Sequence, residues 1–127
     1  MKICFIVDDS EVDIFILSRA LRSIGLSGEV CTYRHGKEAF DAVMERINAG
    51  EQLPDLILLD VNMPVWDGWD FLEALKTVTV EKPPHVYVMS SSQEPEDMER
   101  ALSYAMVDDY LRKPVSPSDL KGVISAV

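Results

Sequence analysis

Two stretches of this chain, KICFIV at 2–7 and DLILLD at 55–60, are almost continuously apolar. A strand with one wet face alternates apolar with polar residues. Runs without alternation therefore point to strands buried on both faces, as in a parallel sheet covered by helices on each side. EVCTY at 29–33 and HVYVMS at 85–90 are weaker versions, and DDYLRKP at 108–114 supplies a fifth short strand. Between the strands the apolar period changes to that of a helix. Leu17, Ala20, Leu21 and Ile24 form the inner face of a first helix, and Ala39, Phe40, Val43, Met44 and Ile47 that of a second. A third follows Asp67 and turns Phe71, Leu72 and Leu75 inward; a fourth is expected to bury Met98, Ala101, Leu102 and Ala105. The fifth carries Leu120, Val123, Ile124 and Val127, with Ser116 as N-cap, Pro117 at the first helical position and Asp119 closing a capping box.

Five strand–helix units in series, joined by right-handed crossovers, predict a doubly wound α/β domain with a five-stranded parallel sheet. At 127 residues the chain has room for one core, and we expect a single domain over 1–127 with no output domain. No apolar stretch approaches the roughly 18 residues of a membrane span, and the first residues lack a signal peptide's apolar region, so a soluble, cytoplasmic protein is expected. A net charge of −10 disfavours direct contact with nucleic acid or an anionic membrane. Cys4 and Cys31 lie in predicted strands without metal-ligand spacing and are expected to be buried, reduced thiols.

In such sheets the functional groove lies beyond the carboxyl ends of the strands. There the first strand delivers Asp8 and Asp9, the third Asp60, the fourth Ser90 and the fifth Lys113. Any one of these alone is commonplace at a strand end; their convergence is informative. Three carboxylates in one pocket repel one another, and a hard divalent cation such as Mg²⁺ relieves that repulsion with oxygen ligands. Lys113 is expected to place a positive charge on the other side of Asp60. A carboxylate between a metal and a lysine suits nucleophilic attack on phosphorus, with Ser90 donating to a phosphoryl oxygen. The site reads as an aspartyl-phosphate site.

The acidic pair, LLDVNMPVWDG, VMSS and DDYLRKP, in this order and spacing, resemble the CheY-like receiver domain of two-component response regulators over nearly the whole chain. The resemblance implies a flavodoxin-like fold with strand order 2-1-3-4-5. It implies Asp60 as phosphoacceptor, Asp8 and Asp9 as metal-holding residues with Asp60, and the backbone carbonyl of Asn62 as a further Mg²⁺ ligand. Ser90 stands at the switch hydroxyl position and Tyr110 at the aromatic switch position. Lys113 matches the family lysine, and the Lys113-Pro114 bond matches one that is cis in the family. Phosphate would come from a histidine kinase or a histidine phosphotransfer protein. The response would appear on the face built from the fourth helix, fifth strand and fifth helix, for contact with a downstream protein or a phosphorylation-dependent dimer. Asn62 and Ser92, two residues after Asp60 and Ser90, occupy positions that resemble those tuning dephosphorylation in the family. Met106 stands where a glycine is common, so the turn before the fifth strand is expected to avoid the left-handed conformation.

Two other readings fit less well. A phosphatase of the haloacid dehalogenase type needs an acid two residues after the nucleophile, where this chain has Asn62. A flavin binder needs a Gly/Ser/Thr-rich phosphate loop after the first strand, where DDSEVD would repel phosphate. The chain is therefore expected not to be an enzyme beyond its own phosphorylation and dephosphorylation. Trp66 has two readings, packing at the core edge or a role on a mobile loop near the site, whereas Trp69 is expected to pack. His35 and His85 are expected to be polar strand-end residues without a phosphate-carrying role.

Overall fold

The computed structural model describes residues 2–26 and 28–127. Five strands, β1 (Lys2–Val7), β2 (Gly28–Tyr33), β3 (Leu56–Asp60), β4 (His85–Ser90) and β5 (Val107–Arg112), alternate with five helices. These are α1 (Glu11–Ser23), α2 (Gly36–Ala49), α3 (Gly68–Lys76), α4 (Pro95–Leu102) and α5 (Pro117–Ala126). All strand pairs are parallel, in the order β2-β1-β3-β4-β5. The expected doubly wound sheet and its strand order are thus both present.

Strand residues alternate between two apolar layers. Phe5, Val7, Ile57, Leu59, Val86 and Val88 face one side, packed with Val43 of α2, Phe71 and Leu72 of α3 and Ala101 of α4. Cys4, Ile6, Leu58, Met89 and Leu111 face the other, against Leu17 and Leu21 of α1 and Leu120 and Val123 of α5. Having both faces covered is why β1 and β3 read as unbroken apolar runs. Full burial of each large side chain contributes roughly 1.5–3 kcal/mol, which gives this two-layer core its stabilising weight.

Four of the five helix starts are set by side-chain caps, which satisfy orphan N–H groups of the first turn, whereas α4 opens on Pro95 with no side-chain cap. Ser10 accepts from Asp13 N–H in α1, and His35 Nδ1 accepts from Glu38 N–H in α2. Asp67 with Asp70, and Ser116 with Asp119, form capping boxes in α3 and α5. His35 is therefore a cap and not a strand-end residue. His85 opens β4, with Nδ1 2.6 Å from Asp108 Oδ2.

The inner face expected of the fourth helix is corrected. Ala101 alone of the four is buried; Met98 and Leu102 are exposed, and Ala105 lies beyond the end of α4 and is exposed too. Side chains reaching across to α3 hold this short helix instead. The Arg100 guanidinium stacks 4.3 Å from the Trp69 ring, and Tyr104, just past the helix, donates its hydroxyl to Glu73 at 2.5 Å. Both cysteines are free, but only Cys4 is buried, and burial pushes its thiol up to about 12. Cys31 is half-buried because β2 is an outer strand. The other outer strand, β5, exposes Asp108, Asp109 and Arg112. Met106 does not take a positive φ, as expected for a residue with a β-carbon, and packs half-buried against the core.

Candidate functional site

Five predicted residues meet at the carboxyl edge of the sheet. Asp8 follows β1, and its N–H donates to the carbonyl of Tyr33 at 3.0 Å, fixing it beside β2. Asp60 is the last residue of β3, and Ser90 the last of β4. Lys113 follows β5 and donates its backbone N–H to the Ser90 carbonyl at 2.9 Å, which sets the two strand ends side by side. The Lys113-Pro114 bond is cis, as the resemblance implied.

Among the described residues, the buried polar side chains are those of Asp8, Asp60 and Ser90, while Asp9 is exposed. One carboxylate oxygen from each of Asp8, Asp9 and Asp60 lies within 4.8 Å of the others. Asp8 Oδ1 accepts from the Ser10 N–H at 3.0 Å, and Asp8 Oδ2 from Lys113 Nζ at 2.8 Å. Lys113 Nζ is also 3.0 Å from Asp13 Oδ2 and 3.4 Å from Asp60 Oδ1. The expected placement of Lys113 beyond Asp60 is refined accordingly: its shortest bonds go to Asp8 and Asp13. Asp60 is 4% exposed, so salt screens its 3.4 Å approach to Lys113 only weakly.

These contacts set the charge balance. Burial first, and then the neighbouring Asp8 charge, push the Asp60 carboxyl up to about 6; Lys113 and the backbone N–H of Asn62 oppose that rise. Burial pulls the Lys113 ammonium down, but hydrogen bonds to Asp8 and Asp13 and the charges of Asp60 and Asp8 more than reverse it. The donor set consists of hard carboxylate oxygens with a protonated lysine at one side, which suits an octahedral, oxygen-preferring divalent ion better than a soft metal.

The loop between Asp60 and α3 is fastened at several points. The Gly68 N–H donates to the Val61 carbonyl at 3.1 Å, and a β-carbon at Gly68 would lie 2.6 Å from the Asp60 carbonyl oxygen. Gly36, at the start of α2, donates to the Trp66 carbonyl at 2.9 Å. Trp66 packs on α2, its ring 5.7 Å from that of Phe40 and 5.4 Å from Lys37 Nζ, as its packing reading expects. Trp69 packs against the core as expected. Between these fastenings Val65 takes φ 66°, a left-handed conformation unfavourable to a β-branched residue, and its side chain is 74% exposed.

Ser90 Oγ accepts from the Ser92 N–H at 3.0 Å, and Tyr110, half-buried on β5, donates its hydroxyl to the Ser92 carbonyl at 3.2 Å. Asn62 is exposed two residues after Asp60. Sequence reasoning missed Asp13, Gly36 and Gly68. The WDG triplet after a strand-end aspartate was the one available signal for Gly68; nothing local to Asp13 marked its contact with a residue 100 positions away.

The family described as response regulator receiver domain matches residues 4–125. The chain belongs to this family. Among curated relatives, the receiver is 31% identical over 125 residues to the probable methanogenesis regulatory protein FilR2 of Methanothrix harundinacea, covering 98% of this chain and 80% of that one. It is 32% identical to the two-component response regulator ORR1 of Oryza sativa, covering 91% of this chain and 51% of ORR1. The chain thus spans about half the length of some of its curated relatives. Among solved structures, a two-component response regulator from Cytophaga hutchinsonii superposes with a TM-score of 0.88 at 26% identity, covering 99% of this chain and 96% of that one. The Mn²⁺-bound form of the response regulator Rcp1 superposes with a TM-score of 0.77 at 26% identity, covering 99% and 91% respectively. Among the described residues no helix is long and apolar enough to cross a membrane.

Proposed function

We propose that this receiver is the phosphoacceptor of a two-component relay, with Asp60 taking a phosphoryl group from a histidine kinase or a histidine phosphotransfer protein. The carrying observation is the buried Asp60 carboxylate, set within 4.8 Å of two further carboxylates and 3.4 Å from Lys113 Nζ. An Asp60 oxygen attacks phosphorus, the bond to the donor imidazole nitrogen breaks, and its electron pair leaves with the imidazole. Lys113 neutralises charge on the phosphoryl oxygens, and Ser90 turns its hydroxyl toward one of them. Asp8, Asp9, Asp60 and the Asn62 carbonyl would hold Mg²⁺, which when bound offsets carboxylate repulsion and phosphoryl charge. The Mn²⁺-bound relative supports a divalent ion at a site of this kind.

Beyond its own phosphorylation and dephosphorylation the chain has no enzymatic role in this reading. Ser90 and Tyr110 carry the change to the face of α4, β5 and α5, where a downstream protein or a second copy docks. Its net charge of −10 argues for protein partners over nucleic acid or anionic membrane, and for work in the cytoplasm beside a kinase. Incubation with acetyl phosphate and Mg²⁺ should add one phosphate by intact-protein mass spectrometry, and neither EDTA-treated protein nor Asp60→Asn should gain it. Labelling that persists in Asp60→Asn would overturn the assignment.

A further inference from the structure

Asp13 has no part in the chemistry above, yet its carboxylate is one of three that converge on the site lysine. Lys113 Nζ sits 2.8 Å from Asp8, 3.0 Å from Asp13 and 3.4 Å from Asp60. A charge-assisted N–H···O bond has a length of about 2.7–2.9 Å, so the lysine is better bonded to Asp8 and Asp13 than to the phosphoacceptor. The placement of Asp13 is built in. It is the third residue of α1, its N–H is held by Ser10 Oγ at 3.2 Å, and the Ser10 N–H is itself held by Asp8.

We propose that Asp13 is a positioning residue that holds Lys113 back from Asp60 and releases it when an anionic group occupies Asp60. The inference rests on the phosphoacceptor reading and deepens it. Phosphoryl oxygens on Asp60 compete for the ammonium, and one existing partner must weaken. The Asp8 side chain is 0% exposed, so giving up the lysine would cost a buried carboxylate oxygen a hydrogen bond that water cannot replace. The Asp13 side chain is 39% exposed and is rehydrated when the lysine leaves. Asp13 is the partner that yields. Its attraction for Lys113 then subtracts from anion binding at Asp60, which makes the unphosphorylated state easier to regain.

Beryllofluoride, a phosphoryl mimic, tests this by fluorine NMR titration at saturating Mg²⁺. Asp13→Asn keeps the backbone N–H for Ser10 and removes the charge, and should tighten binding about threefold to tenfold, between the effects of an exposed and a buried pair. Asp13→Glu, which retains the charge, should stay within about twofold of the parent by the same reasoning. Glu11→Gln removes an equal charge two residues away, from a side chain paired with Arg34 at 2.9 Å, and should leave affinity unchanged. Unchanged or weaker binding by Asp13→Asn overturns the proposal. So does an equal gain in Glu11→Gln, which would mark a general field effect, or an equal gain in Asp13→Glu. If the parent itself fails to bind beryllofluoride, the phosphoacceptor reading falls first.

Discussion

The Tyr110 hydroxyl and the Ser90 hydroxyl are joined through one residue: Ser92 accepts from Tyr110 at its carbonyl and donates to Ser90 Oγ from its N–H. A hydroxyl that turns toward a phosphoryl group gives up its claim on the Ser92 N–H. The same residue then loses its fixed position against Tyr110. In the proposed phosphoacceptor role, these two hydrogen bonds would be the link through which a charge change at the strand end reaches the aromatic ring.

With beryllofluoride, amide shifts should spread over α4, β5 and α5 in the parent and shrink there in Ser90→Ala. Tyr110→Phe, which deletes the bond to the Ser92 carbonyl, should retain shifts around Ser90 and Ser92 and lose those beyond β5. Equal spread in the parent and both variants, measured by two-dimensional amide NMR, would remove Ser92 from the route.

Folding of the metal-free receiver should depend on pH through Asp60. Its carboxyl is raised from an ordinary 3.8 to about 6, so between those values the folded chain keeps a proton that the unfolded chain has released. Stability from this group is therefore highest below about pH 4 and falls as pH rises through about 6. The gap corresponds to on the order of 3 kcal/mol. Urea unfolding in EDTA should show Asp60→Asn gaining on the parent across that window and holding the gain above it. Saturating Mg²⁺ at pH 7 should return most of the lost stability to the parent and little to the variant. A difference that stays flat with pH would contradict the charge balance described for the site.

The loop after Asp60 should respond to two substitutions in opposite directions. Gly68→Ala drives a methyl to 2.6 Å from the Asp60 carbonyl oxygen and 2.8 Å from the Val61 α-carbon, and should cost about 2–4 kcal/mol. Val65→Asn keeps the left-handed backbone without β-branching and loses no buried contact, and should add about 0.5–1 kcal/mol. Chemical denaturation of the two variants measures both, and a stabilising Gly68→Ala would refute the close-approach argument.

The strands and the cluster of polar residues at their ends were legible in the residues because both depend on local pattern. Burial on two faces leaves continuous apolar runs in β1 and β3, and the topology then carries Asp8, Asp60, Ser90 and Lys113 to a common edge. The face of α4 was not legible. Met98, Leu102 and Ala105 repeat at helical spacing, but the helix ends at Leu102, and Arg100 and Tyr104 fasten this region through side chains to α3. Asp13 was hidden for the opposite reason: an acid in the first turn of a helix is already explained by the helix dipole, so nothing in its own neighbourhood asks for a distant lysine. The role of Trp66 needed the tertiary contact with Phe40, which spacing does not reveal.

The outer position of β5 bears on how two copies can meet. An outermost strand offers unpaired backbone groups to any neighbour that would extend the sheet. Three exposed charged side chains, Asp108, Asp109 and Arg112, and a register irregularity opposite Val86 and Tyr87 blunt that edge, where the Tyr110 N–H is already held by the Asp109 carboxylate. Continuous sheets running from molecule to molecule are thereby disfavoured, and assembly on this side is left to side chains that can interlock and separate again.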